Sequence, residues 1–154
     1  MSNLIILVSY HHQNTEKIAK IIASPLNAEI KKPEQVEPNS LATYELIGFG
    51  SGIYFGKNDK TLLKFADKLP QQEGKKAFIF STSGRTDNQS KFHKELREKL
   101  QSKGFNIIGE FNCGGFDTYG VLKLAGGINK GRPNEDDLKA AETFAQTLKA
   151  QTPK

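Results

Sequence analysis

The stretch Leu4-Ile5-Ile6-Leu7-Val8-Ser9-Tyr10-His11-His12-Gln13-Asn14-Thr15 changes character in its middle, and that change decides the fold. Leu4 to Val8 is an apolar, β-branched run with the length of a buried strand. Behind the stretch, Glu16-Lys17-Ile18-Ala19-Lys20-Ile21-Ile22 carries apolar residues at helical spacing. Ser9 to Thr15 is therefore a strand-to-helix turn. Its side chains are hydroxyls, imidazoles and amides, and the helix after it offers unpaired backbone N–H groups and the positive end of a dipole, a combination that suits a phosphate. The plainer alternative is that Asn14 or Thr15 caps the first helix.

The same strand-then-helix rhythm continues along the chain. Pro25 and Asn27 break the first helix, Ala28-Glu29-Ile30 reads as a short edge strand, and residues 31–43, with Pro33 and Pro38, read as a connection holding one helical turn. Tyr44 to Gly50 is the next strand. It opens into the loop Ser51-Gly52-Ile53-Tyr54-Phe55-Gly56, whose glycines permit close backbone approach to a ligand. Lys60 to Leu69 shows helical spacing and is stopped by Pro70. Ala77-Phe78-Ile79-Phe80 is a buried strand running into a second polar loop, Ser81-Thr82-Ser83-Gly84-Arg85-Thr86-Asp87-Asn88. Phe92, Leu96 and Leu100 mark a helix closed near Gly104, Phe105 to Cys113 is the last strand, and a final helix runs from near Asn134 through Leu148. Between these two, Gly114 to Pro133 is long for a strand-to-helix connection. Such alternation predicts a five-stranded parallel sheet covered on both faces, with ligands beyond the carboxyl ends of its strands. Three polar or glycine-containing loops leave those ends.

The 154 residues are enough for one domain, taken as residues 1–154. Lysine and arginine exceed the acids by 22 to 17, too few to argue for nucleic acid, and no basic cluster is interleaved with aromatics. The sole cysteine, Cys113, excludes an internal disulfide, suits a reducing compartment and reads as a small buried residue. No basic segment precedes the N-terminal apolar run, which is far shorter than a membrane span, so a cytoplasmic protein without membrane attachment is expected. His11 and His12 lack the spacing of a helical zinc motif, and no metal site or catalytic residue is predicted.

With these motifs in place, nearly the whole chain resembles the flavodoxin family. The resemblance implies an α/β three-layer sandwich whose five-stranded parallel sheet has the order 2-1-3-4-5, with flavin mononucleotide (FMN) at the switch point; order and cofactor are taken from the family, for which they are the known example. The family's phosphate loop, Ser/Thr-x-Thr-Gly-x-Thr, falls on Tyr10, His11, His12, Gln13, Asn14 and Thr15. Asn14-Thr15-Glu16 fits it, and Ser9-Tyr10-His11-His12 is similar to a branch with histidines in place of threonines. Gln13 stands where that branch carries glycine, so a side chain occupies a place where the backbone would approach the phosphate. Ser51, Gly52, Ile53, Tyr54, Phe55 and Gly56 match the loop lying against the flavin ring. Tyr54 and Phe55 are its candidate stackers, and the alternative is that one of them packs inward. Ser81, Thr82, Ser83 and Gly84 match the loop whose backbone holds the ring's polar edge; the family's tyrosine is missing there, which leaves the second ring face open or covered by Phe116 or Tyr119. The excursion from Gly114 to Pro133 is either a lid or partner surface, or a structural turn.

The resemblance thus implies an FMN-binding redox protein that carries electrons between protein partners or to a small acceptor such as a quinone, as a monomer or homodimer. Lys57, Lys60 and Arg85 beside the ring loops, opposed by Asp59 and Asp87, predict a flavin potential less negative than in acidic flavodoxins. The alternative from another class is a cofactor-free interaction module, motivated by Gln13. A receiver domain would need an acid where Phe49-Gly50-Ser51 stands, and a nicotinamide-binding domain would carry its glycines after the first strand, whereas Gly48-x-Gly50-x-Gly52 follows the third.

Overall fold

The N-terminal apolar run is strand β1 (Ser2–Val8) in the computed structural model, which describes residues 2–9, 14–54, 57–83, 89–114 and 135–152. Parallel partners flank it on both sides, β2 (Ala28–Lys31) and β3 (Tyr44–Tyr54). β3 in turn pairs with β5 (Lys76–Ser83), and β5 with β6 (Asn106–Gly114), so the path across the sheet is β2-β1-β3-β5-β6. The short β4 (Lys57–Asn58) folds back antiparallel onto Ile53 and Tyr54 and stands off that path. With β4 set aside, the five parallel strands have the order 2-1-3-4-5 that the resemblance implied.

Side chains alternate across each strand, and the alternation builds two cores. Leu4, Ile6 and Val8 pack with Ile47, Phe49 and Ile79 under α2 (Lys60–Asp67) and α3 (Gln89–Ser102), which contribute Leu62, Phe65, Leu96 and Leu100. Ile5 and Leu7 point the other way. They join Phe78 and Phe80 beneath α1 (Asn14–Leu26) and α4 (Glu135–Ala150), which contribute Ile18, Ile22, Ala141 and Ala145.

Gly48 and Gly50 of β3 lie directly opposite Phe78 and Phe80 of β5. The two rings lean over the neighbouring strand, 5.9 Å apart and 26° from parallel, and a Cβ on either glycine would come within 2.1–2.7 Å of carbons of the ring it faces. The glycine repeat of β3 is thus an aromatic packing device. It explains the Gly-x-Gly pattern without any nucleotide.

Four local readings are corrected. Pro25 does not break the first helix: α1 runs to Leu26 with Pro25 in its last turn, where proline forfeits a single backbone bond, and the helix ends at Asn27 with φ +50°. The connection over residues 31–43 holds two 3-10 turns, Pro33–Gln35 and Pro38–Thr43, each started by the proline at its first position. Ser51 to Tyr54 and Ser81 to Ser83 are strand, not loop, because β3 and β5 keep their ladder one residue beyond the paired serines (Ser51 with Ser81, Gly52 with Thr82). Buried polar side chains made these ends look like loops. Among the described residues no helix is long and apolar enough to cross a membrane.

Candidate functional site

The carboxyl ends of β1, β3, β5 and β6 meet along one edge, where the buried apolar side chains give way to hydroxyls and amides. On the α1 face the row runs from Ser9, one residue past the Val8–Ser51 pair, to Thr82 and Cys113, which pair across β5 and β6. α1 begins beside this row. Its Thr15 hydroxyl bonds the Thr82 hydroxyl at 2.8 Å, both residues being buried, so Thr15 ties the start of α1 to the end of β5. Valine at Thr82 should cost roughly 1–3 kcal/mol by stranding the Thr15 hydroxyl, and the double replacement Thr15→Val with Thr82→Val should recover most of it. Urea unfolding of the three variants checks this.

On the opposite face Ser51 is fully buried and saturated. Its Oγ donates to the Gly52 carbonyl (2.8 Å) and accepts from Asn58 Nδ2 (3.1 Å) and the Asp59 amide (2.9 Å). Those bonds close the β3–β4 hairpin. Asp59 then caps α2, its carboxylate accepting from the Thr61 amide at 2.8 Å. On the neighbouring strand, Ser81 Oγ meets His93 Nε2 of α3 at 2.6 Å, and His93 Nδ1 meets Glu110 Oε1 of β6 at 2.9 Å. Arg97 grips the same carboxylate with two bonds of 2.7 Å. Together Arg97 and His93 outweigh the burial of Glu110, which by itself would raise its pKa, and hold that carboxyl at about 2 instead of 4.5. Asn112 Nδ2 donates to both Ser81 Oγ (2.8 Å) and Ser83 Oγ (3.2 Å). The last three residues of β5 are therefore tied to three different elements: Ser81 to α3, Thr82 to α1 and Ser83 to β6.

Two polar atoms at this edge contrast with that saturation. Among the described residues, Ser9 Oγ and Asn58 Oδ1 are buried with no hydrogen-bond partner. A stranded hydroxyl between β1 and the start of α1 suits a ligand group presented there, and the residues around it fit a phosphorylated flavin: hydroxyls at Ser9 and Thr82, a helix N-terminus behind them, and strand ends whose backbone is fixed from below. Lys57, expected to lend positive charge to the site, pairs with Glu95 at 3.2 Å, which offsets that contribution. Lys57 and Glu95 are both well exposed, so their pairing adds little stability.

The structure thus brings Ser9, Asn14, Thr15, Ser51, Gly52, Ile53, Tyr54, Ser81, Thr82 and Ser83 to one edge. Tyr10, His11, His12, Gln13, Phe55, Gly56 and Gly84 lie outside the described residues, as do Arg85, Asp87, Phe116 and Tyr119. Sequence reasoning missed His93, Arg97, Glu110 and Asn112. One signal was available, a glutamate inside the strand pattern Ile107-Ile108-Gly109-Glu110-Phe111, since a carboxylate among apolar strand residues calls for a buried partner. Among the described residues no group of histidine, cysteine and acid side chains could hold a metal.

This chain belongs to the flavodoxin domain family, whose model matches residues 5–117. It is 57% identical over 148 residues to an uncharacterised protein of Methanocaldococcus jannaschii, covering 96% of this chain and 98% of that one. In fold it is similar to flavodoxin 2 of Bacillus cereus (TM-score 0.73, 18% identity, 98% of this chain and 99% of the other). A flavodoxin of Streptococcus pneumoniae is similar to the same degree (TM-score 0.72, 18% identity, 97% and 99%).

Proposed function

We propose that this protein binds FMN at the carboxyl edge of its sheet and works as a single-domain, cytoplasmic redox carrier between protein partners or to a small acceptor such as a quinone. The observation that carries the reading is the buried Ser9 hydroxyl left without a partner beside the start of α1. In this reading Ser9 to Thr15 take the phosphate, with α1 supplying backbone donors. Ser51 to Gly56 lie against the ring, with one of Tyr54 and Phe55 as its stacker, and Ser81 to Gly84 present backbone groups to the ring edge. Bound flavin would supply the electron-transfer chemistry. The chain's own part is to orient the ring and exclude water from one side of it.

The test is the visible spectrum of the purified protein, followed by titration of the apoprotein with FMN and riboflavin in parallel. A flavin spectrum, with FMN bound at least about tenfold more tightly than riboflavin, is expected, because a phosphate at a helix N-terminus is worth upward of 1.4 kcal/mol with its hydrogen bonds. Equal affinities would remove the phosphate from Ser9 to Thr15. No binding of either flavin would overturn the reading in favour of a cofactor-free interaction module.

A further inference from the structure

Ser81, His93 and Glu110 stand in the order hydroxyl, imidazole, carboxylate, with the bond lengths of a nucleophilic relay. Ser81 and His93 are both entirely buried, so no substrate reaches the hydroxyl. Its oxygen also accepts from the Asn112 amide, which draws electron density away from it. A hydrolytic role is thereby excluded. What remains is a buried relay on the α3 face that ends on the two hydroxyls at the close of β5.

The proton positions follow from the partners. Glu110 is ionised and accepts, from Arg97 twice and from His93 Nδ1, so the Nδ1 position carries a proton. Nε2 then accepts from the Ser81 O–H, and Ser81 Oγ is left to accept from Asn112 Nδ2. Every donor meets an acceptor with the imidazole neutral. Protonating Nε2 makes it a second donor to Ser81 Oγ, and the serine proton must then find a new acceptor in a fully buried place. Among the described residues His93 bonds Ser81 of β5 and Glu110 of β6, and Arg97 of its own helix grips the same carboxylate.

We propose that His93 is a positioning residue for the flavin ring site: its neutral imidazole, backed by Glu110 and Arg97, fixes the hydroxyl of Ser81 and, through Asn112, that of Ser83, from which the ring-edge loop departs. Ring affinity then depends on a buried side chain that does not touch the ring. The inference rests on the flavin reading above, and the experiment separates the two.

Riboflavin is the probe, because it has no phosphate to titrate and none for His11 and His12 to meet. Its affinity for the full-length apoprotein is compared with that of two variants at one neutral pH. His93→Gln, whose amide oxygen can still accept from Ser81, should bind riboflavin nearly as well as the unaltered protein, whereas His93→Leu should bind about tenfold more weakly. Nitrogen NMR of the unaltered apoprotein should show the imidazole proton on Nδ1. A proton on Nε2, or binding by His93→Leu as tight as by His93→Gln, overturns the relay while leaving flavin binding intact. Failure of riboflavin and FMN to bind at any pH overturns both readings.

Discussion

Valine in place of Gly50 should destabilise the protein by about 3 kcal/mol, the upper end of the ordinary cost of overpacking, because the ring it meets has nowhere to go. Phe80 is fully buried, and Phe78 stacks on one side of it. Phe78 is in turn held edge-on by Phe144 of α4 at 5.9 Å, and Phe144 stacks on Phe111 of β6 at 5.4 Å. Displacing one ring therefore disturbs a row of four. Phe80→Ala alone should cost about 3–5 kcal/mol through the cavity it leaves. In that background Gly50→Val should cost far less, since the side chain enters vacated space, and the shortfall from additivity should reach 1–3 kcal/mol. Denaturant unfolding of the two single variants and the double variant measures it, and simple additivity would show that Phe80 does not fill the space over Gly50.

Glu110→Gln should lower stability by about 2 kcal/mol near neutral pH. The depression of the carboxyl from 4.5 to about 2 is worth roughly 3 kcal/mol at face value, and solvent screening at a partly exposed group reduces it. The folded carboxyl holds its proton less tightly than the unfolded one, so its contribution is fully present above pH 4.5 and is lost as pH falls from there toward 2. The gap between the unaltered protein and Glu110→Gln should therefore close on acidification through that window. Unfolding titrations of both proteins near pH 7 and near pH 3 check the sign. A gap that widens at the lower pH would contradict the ion-pair account, in which Arg97 is gripped by an ionised Glu110.

The elements and the layers they build were legible because the signals behind them are long and periodic, whereas the strand order came from the family resemblance. Leu4 to Val8 reads as strand from its branched apolar side chains, and Leu96 with Leu100 places one face of α3 in the core. Register was not legible. Nothing local in Gly48-Phe49-Gly50 says that Phe78 and Phe80 of another strand will occupy the room it leaves, because that pairing is fixed by how β3 and β5 align. The same limit hid half of the candidate site. Ser51 and Ser81 look like loop residues because isolated hydroxyls favour turns, and they are strand residues because Asn58 in one case and His93 in the other complete their hydrogen bonds from a distance. His93 itself is masked by its setting, sitting one turn before Leu96 on the buried face of an otherwise ordinary amphipathic helix.

Strand ends usually fray, and β5 ends in the middle of the sheet, tied through Ser81, Thr82 and Ser83 to α3, α1 and β6. The base of the edge answers to three elements at once, so a substitution there must satisfy partners that are distant in the chain. A lineage carrying this scaffold is therefore held to all three pairings together, and none of them can drift alone.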